Sequence, residues 1–261
     1  MTVTAFALLG FLAALQDHQP DDEQADAAIE EFRRATGRPD AGEDDRVLAI
    51  RTLGKVVHPK TLTVLIPILT REPAPYRIAA AIVLAGFGSL EDTPGALVKA
   101  YRDPLNQPPS MRAVRIRILQ SLGKLKSRSA LGLINPAILD RDAWIARAAA
   151  AAAGQIRDVS SIDPLIRRLQ LLESWEGVRP VPGEDPVAER VKESADSKRR
   201  DGKGTDRRGE GGADGKRRTE KQLLGPSVDA ALISITGERF SSHEEWARWW
   251  NEARKDFKVV D

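Results

Sequence analysis

Arg115-Ile-Arg-Ile-Leu-Gln-Ser-Leu-Gly123 is an apolar helix pattern that opens on an arginine and closes on glycine. Three other stretches read the same way: Arg46-Val-Leu-Ala-Ile-Arg-Thr-Leu-Gly54, Arg77-Ile-Ala-Ala-Ala-Ile-Val-Leu-Ala-Gly86 and Arg147-Ala-Ala-Ala-Ala-Ala-Ala-Gly154. Their glycines lie 32, 37 and 31 residues apart, and self-similarity at a period of 20–50 residues marks a stacked repeat. A unit of two helices cannot bury its apolar face alone, so such units lean on their neighbours to form an open-ended rod. The expected fold is therefore all-α, and the expected job of such a rod is to offer a binding surface.

Outward from these stretches the helices alternate. Gln24 to Thr36 places Ala25, Ala28, Ile29 and Phe32 on one face and is stopped by Gly37 and Pro39. A second helix runs from Asp44 to about Val57, where His58-Pro59 breaks it, because the residue before proline is pushed out of the helical region. Lys60 to Thr70 follows, with Pro67 expected to kink it. Then come Tyr76 to Phe87, and Pro94 to Arg102 begun by Thr93 with proline at its first position. Met111 to Leu125 is next, and Ser129 to Leu139 is a poorly periodic stretch interrupted by Asn135-Pro136. Asp142 to Ile156 and Pro164 to Ser174, the latter initiated by Asp163, complete this part. The alanine run Ala148–Ala153 forms helix well and lets a neighbouring helix come close.

From Glu176 to Lys221 the pattern stops. Lys198–Arg218 carries nine basic, four acidic and six glycine residues, too little apolar surface to offset the entropy of ordering. It reads as a disordered insertion. The pattern resumes over Ser227–Thr236 and ends at Gly237. Gly154 and Gly237 are 83 residues apart, and removing the 45 residues 176–220 leaves 38, close to the earlier period. The insertion therefore falls between the two helices of one repeat, where extra length costs little closure entropy. Beyond it, Ser242-His-Glu-Glu245 opens a last helix as a capping box. Trp246, Trp249 and Trp250 share one face of that helix. They are expected to cap the exposed end of the rod, the alternative being an aromatic platform for a ligand or sugar.

The chain has 40 Lys and Arg against 38 Asp and Glu, a net charge of +2, so no chain-wide field steers polyanions. Without cysteine there is no disulfide, thiolate metal site or lipidated cysteine. Val3 to Leu15 is a 13-residue, largely apolar stretch ending abruptly at Gln16-Asp17-His18. Too short to cross a bilayer, it has the length of a signal-peptide core although no Lys or Arg precedes it. Residues 1–16 are read as a signal peptide and the protein as exported, to the periplasm or cell envelope. The alternative is a buried first helix in a cytoplasmic protein.

Helix pairs with arginine entering the second helix and Leu-Gly leaving it resemble HEAT repeats, most of all the short bacterial HEAT-like kind named after the phycobilisome lyases. Ile235-Thr-Gly-Glu-Arg-Phe240 followed by Trp246-Ala-Arg-Trp-Trp250 is similar to the C-terminal unit of exported bacterial HEAT-repeat proteins. The resemblance covers roughly residues 24–175 and 223–255. It implies a right-handed α-solenoid of about five HEAT-like helix pairs, whose second helices line a concave face that contacts other proteins. The chain then divides into a signal peptide (1–16), a solenoid (17–175), a basic, glycine-rich insertion (176–222) and a last repeat helix with its cap (223–261).

Sites for chemistry are sparse. His18, His58 and His243 are far apart and no His-x-x-x-His or calcium loop occurs, so neither a metal nor a cofactor is expected. Gly215-Lys216 is followed by Arg217 and lacks the earlier glycine of a phosphate loop. No nucleophile-elbow motif or Ser/His/Asp set appears, and Asp45-Arg46 and Asp142 with Arg147 read as contacts between repeats. No catalytic residue is assigned. The leading expectation is a non-enzymatic scaffold for another protein. A second is binding of nucleic acid or another anionic polymer by Lys198, Arg199, Arg200, Arg207, Arg208, Lys216, Arg217 and Arg218, against which stands the absence of interleaved aromatics. A third is an accessory subunit of a lyase or other enzyme.

Overall fold

In the computed structural model, residues 20–174, 181 and 219–259 are described. Among them run helices α1 (Asp22–Thr36), α2 (Glu43–Leu53), α3 (Pro59–Arg71), α4 (Ala74–Leu84), α5 (Asp92–Arg102), α6 (Arg112–Lys124), α7 (Leu131–Ile138), α8 (Ala143–Ile156), α9 (Ile162–Glu173), α10 (Glu220–Thr236) and α11 (His243–Ala253).

Each odd-numbered helix up to α9 packs on the even-numbered helix after it, giving five pairs. The even helices then pack in sequence, α2 on α4, α4 on α6, α6 on α8 and α8 on α10. In the other layer α1 packs on α3, α3 on α5, α7 on α9 and α9 on α11, while α5 meets the turn that leads into α7. This two-layer stack of consecutive pairs is an α-solenoid.

The repeated sequence pattern has a direct packing meaning. Leu53, Leu84, Leu122, Ala153 and Leu232, each near the end of its second helix, are buried in one continuous core. Beside that row, second helices approach too closely to admit a side chain. A Cβ on Gly123 would stand 2.8 Å from the Ala152 Cα, one on Gly154 2.9 Å from the Ala231 Cα, and one on Gly54 2.4 Å from the Val83 Cβ. The repeating glycine is a contact point between neighbouring units. Gly86 departs from this, since the nearest atom to its Cβ position is the Val83 carbonyl oxygen of its own chain segment, at 3.3 Å. At that boundary the Ser121 hydroxyl donates instead to the Ala81 carbonyl across 2.6 Å.

Helix starts follow local chemistry. Asp21 Oδ1 accepts from the Gln24 amide at 2.8 Å, and Asp142 Oδ1 from the Trp144 amide at 3.0 Å. Several expected boundaries move. Thr93 does not cap α5; its hydroxyl donates to the Phe87 carbonyl at 3.0 Å, and the helix starts at Asp92, two residues before Pro94. Asp163 does not initiate α9 either, which starts at Ile162 after a turn capped by Asp158. Asn135-Pro136 does not interrupt α7, because burial of Leu133, Ile134, Ala137 and Ile138 outweighs the one hydrogen bond that Pro136 forgoes. Likewise α10 begins at Glu220, seven residues before Ser227, through a Thr219–Gln222 capping box, and runs past Pro226.

Candidate binding surface

The four arginines that open the pattern meet four different fates. Arg77 is buried; it donates to the Glu72 and Leu105 carbonyls and to Asn106 Oδ1, the last at 2.7 Å. Asn106, fully buried, donates in turn to the Leu69 and Ala100 carbonyls at 2.9 and 2.8 Å. The node joins the ends of α3 and α5 to the start of α4, and burial lowers the arginine's affinity for its proton. Arg115 stands near the Tyr101 phenol, whose pKa is pushed up to about 12, chiefly by burial and next by the Asp140 carboxylate. Arg147 lies over the Trp144 ring, 5.7 Å from its centroid. Arg46 lines an open cavity at the first boundary, and its Nε has no hydrogen-bond partner among the described residues.

Asp142 and Arg112 lie 3.7 Å apart, and Asp158 and Arg128 3.6 Å, each tying one unit to the next. Asp45 accepts from the Gly42 amide at 3.2 Å and so serves its own helix. Deeper in, Arg168 meets Glu220 at 3.1 Å with both side chains buried, joining α9 to α10. The expectation of contacts between repeats applies to Asp142, through Arg112, and not to Asp45.

The second-helix layer also has a solvent side. Leu48, Arg51 and Lys55 of the first unit are exposed there, followed by Ile82 on α4, Lys124 at the end of α6, and Ala151 and Gln155 on α8. Leu48 is 63% exposed and Ile82 36%, large apolar side chains that water covers poorly. After Asp45, no carboxylate occurs in α2, α4 or α6, and none in α8, whereas Arg46, Arg51, Arg77, Arg112, Arg115, Arg117, Lys124 and Arg147 do. Among the second helices acid returns only on α10, as the buried Glu220 and the exposed Asp229. Asp229 faces Glu173 of α9, and its carboxyl is raised above the usual range by loss of water first and by that neighbour second.

The three tryptophans come together at the other end. Trp246 and Trp250 are buried and Trp249 is half-buried. Phe240 meets Trp246 edge-on with centroids 4.8 Å apart, and Phe257 stands edge-on to Trp249 and Trp250 at 5.7 Å from each. The Trp250 indole donates to Asp163 Oδ1 at 2.9 Å, which explains what that carboxylate does in place of starting α9. His243 Nδ1 lies 2.5 Å from Glu173 Oε2, fixing α11 on α9. His58 caps α3 by accepting from the Lys60 amide at 3.2 Å. Among the described residues no group of His, Asp and Glu is arranged to hold a metal ion, and no helix is long and apolar enough to cross a membrane. The basic residues Lys198, Arg199, Arg200, Arg207, Arg208, Lys216, Arg217 and Arg218, with residues 1–16, lie outside the described residues.

Residues 105–176 match the family model of HEAT repeats. This span carries HEAT repeats. The matched span holds α6 through α9, and the same packing of second helix on second helix continues beyond it, to α2 on one side and α10 on the other. No curated protein matches the chain. HEAT repeats commonly serve as protein-interaction scaffolds. Sequence reasoning found the repeat arginines but not what they bind, because Asn106, the main partner of Arg77, lies in a loop with no periodic signal.

Proposed function

We propose that this chain is a non-catalytic scaffold that holds a protein partner on its second-helix face, by charge and by apolar contact. One observation carries the reading: beyond the first turn of α2 the second helices bear no carboxylate as far as the end of α8, and Arg51, Lys55 and Lys124 stand exposed there with Leu48 and Ile82. Such a surface suits an acidic partner with apolar anchors, the charges speeding encounter and setting register and the apolar side chains supplying affinity. The apolar stretch Val3–Leu15 supports placing this activity in the cell envelope.

The test is capture with the full chain and with a triple variant, Leu48→Asp, Arg51→Glu and Lys124→Glu, all at exposed positions. A protein recovered in stoichiometric amount by the natural chain and lost with the variant supports the reading. Equal recovery with both removes it. Retention on a sulfated polymer that disappears on deleting 198–218 would favour the anionic-polymer alternative.

A further inference from the structure

The boundary between the first and second helix pairs contains an open cavity of about 500 Å³, within the range of small-molecule pockets. Phe32 of α1, Val64 and Ile68 of α3 and Tyr76 of α4 give it apolar and aromatic walls. Arg46 and Arg71 bring two guanidiniums to it against one carboxylate, Glu72. Asp45, the acid next to Arg46, does not line it and is engaged at the α2 cap.

Its counterpart one unit along shows what the space is for. Arg77 stands eight residues before Ala85 as Arg46 stands eight before Gly54, and both open their second helix. At the second boundary the α5–α6 connection is long and folds Asn106 inward, so an amide oxygen and the Leu105 carbonyl meet the guanidinium. At the first boundary the α3–α4 connection is only Glu72-Pro73, and no such plug is supplied. Arg46 Nε is left buried without an acceptor among the described residues. At the other boundary the Glu72 carbonyl accepts from Arg77 Nε and Asn106 Oδ1 from its Nη1; a ligand carboxylate in the open cavity would give the outer edge of the Arg46 guanidinium what Asn106 gives there.

We propose that this cavity binds a small organic acid, its carboxylate on the Arg46 guanidinium with Arg71 at the mouth, and an aryl or branched-alkyl body against Phe32, Val64, Ile68 and Tyr76. A planar guanidinium pairs with a carboxylate through two parallel hydrogen bonds, and the surrounding apolar wall strengthens them by excluding water. The site is independent of the partner surface on the second-helix face.

Isothermal titration of the full chain with 3-phenylpropionate and with 3-phenylpropionamide tests this. One equivalent of the acid binds, the amide at least tenfold more weakly. Arg46→Gln weakens the acid at least tenfold with the helical circular dichroism unchanged, and Arg128→Gln, remote from the cavity, leaves it as it was. Should Arg46→Gln lose helical signal, the exposed Arg71→Gln gives a second reading, with at least threefold weaker binding expected. Absence of binding, equal binding of acid and amide, or indifference to both arginine variants overturns the proposal. A hexapeptide with a free C-terminal phenylalanine that binds where 3-phenylpropionate does not would also overturn it, giving the cavity to a polypeptide terminus.

Discussion

The first two boundaries of the rod are built from the same repeat and closed in different ways. Between the first and second pairs the second helices touch at Gly54 and Val83, while the edge that holds Arg46 stands open. Between the second and third, Gly86 has no side chain of α6 against it, while the edge that holds Arg77 is filled by Asn106. The second helices meet at both boundaries, through Gly54 and Val83 at the first and the Ser121–Ala81 hydrogen bond at the second; the edge that holds the arginine is closed only at the second. A repeat therefore does not fix where its contacts are made; the length of the connecting loop decides, by supplying or withholding a plug.

Substitutions at matched positions sharpen this contrast. Arg77→Met should be the most damaging, costing about 3 kcal/mol in urea-denaturation stability, because Asn106 Oδ1 and the Leu105 carbonyl are left buried and unpaired. Arg46→Met, its counterpart, should change stability by less than about 0.5 kcal/mol or raise it, since it removes a buried donor that has no acceptor. Equal costs at the two positions would break the comparison. At the glycines the order reverses. Gly54→Ala should cost about 1–3 kcal/mol by forcing the Val83 side chain away, against less than about 0.5 kcal/mol for Gly86→Ala. Hydrogen exchange in α2 and α4 should speed up only in the first of these variants.

A smaller effect tests the far end. The Asp229 carboxyl is raised in the folded chain, so the folded state binds its proton more tightly than the unfolded one. Its contribution to stability therefore grows as pH falls toward the folded value and fades as pH rises above it. Asp229→Asn should remove that dependence and melt higher than the natural chain at pH 7, with the gap narrowing at pH 5. A gap that widens on acidification would contradict the sign.

The architecture was legible in the sequence because the feature that makes a solenoid, an apolar face repeated at a fixed interval, is also a sequence feature. The arginine-to-glycine stretches mark α2, α4, α6 and α8 within a few residues. What local signals conveyed poorly was decided by tertiary contact. Pro136 and Pro226 stand inside helices because the apolar residues around them are buried, a gain that proline rules for an isolated helix do not weigh. Thr93 and Asp163 have cap chemistry but spend it on the Phe87 carbonyl and the Trp250 indole. The arginines were visible and their acceptors were not, since a backbone carbonyl or a lone Asn106 leaves no pattern. The open cavity at Arg46 left no trace in the sequence either, being a consequence of the two-residue connection Glu72-Pro73.

The fifth pair, α9 and α10, has a consequence for engineering. Its two helices are far apart along the chain, yet the Arg168–Glu220 ion pair and a shared core, to which Val181 of the connecting peptide also belongs, hold them side by side. Foreign domains spliced after Val181 and before Thr219 should leave the rod in register, so this junction is a natural port for attaching a reporter or an enzyme to it.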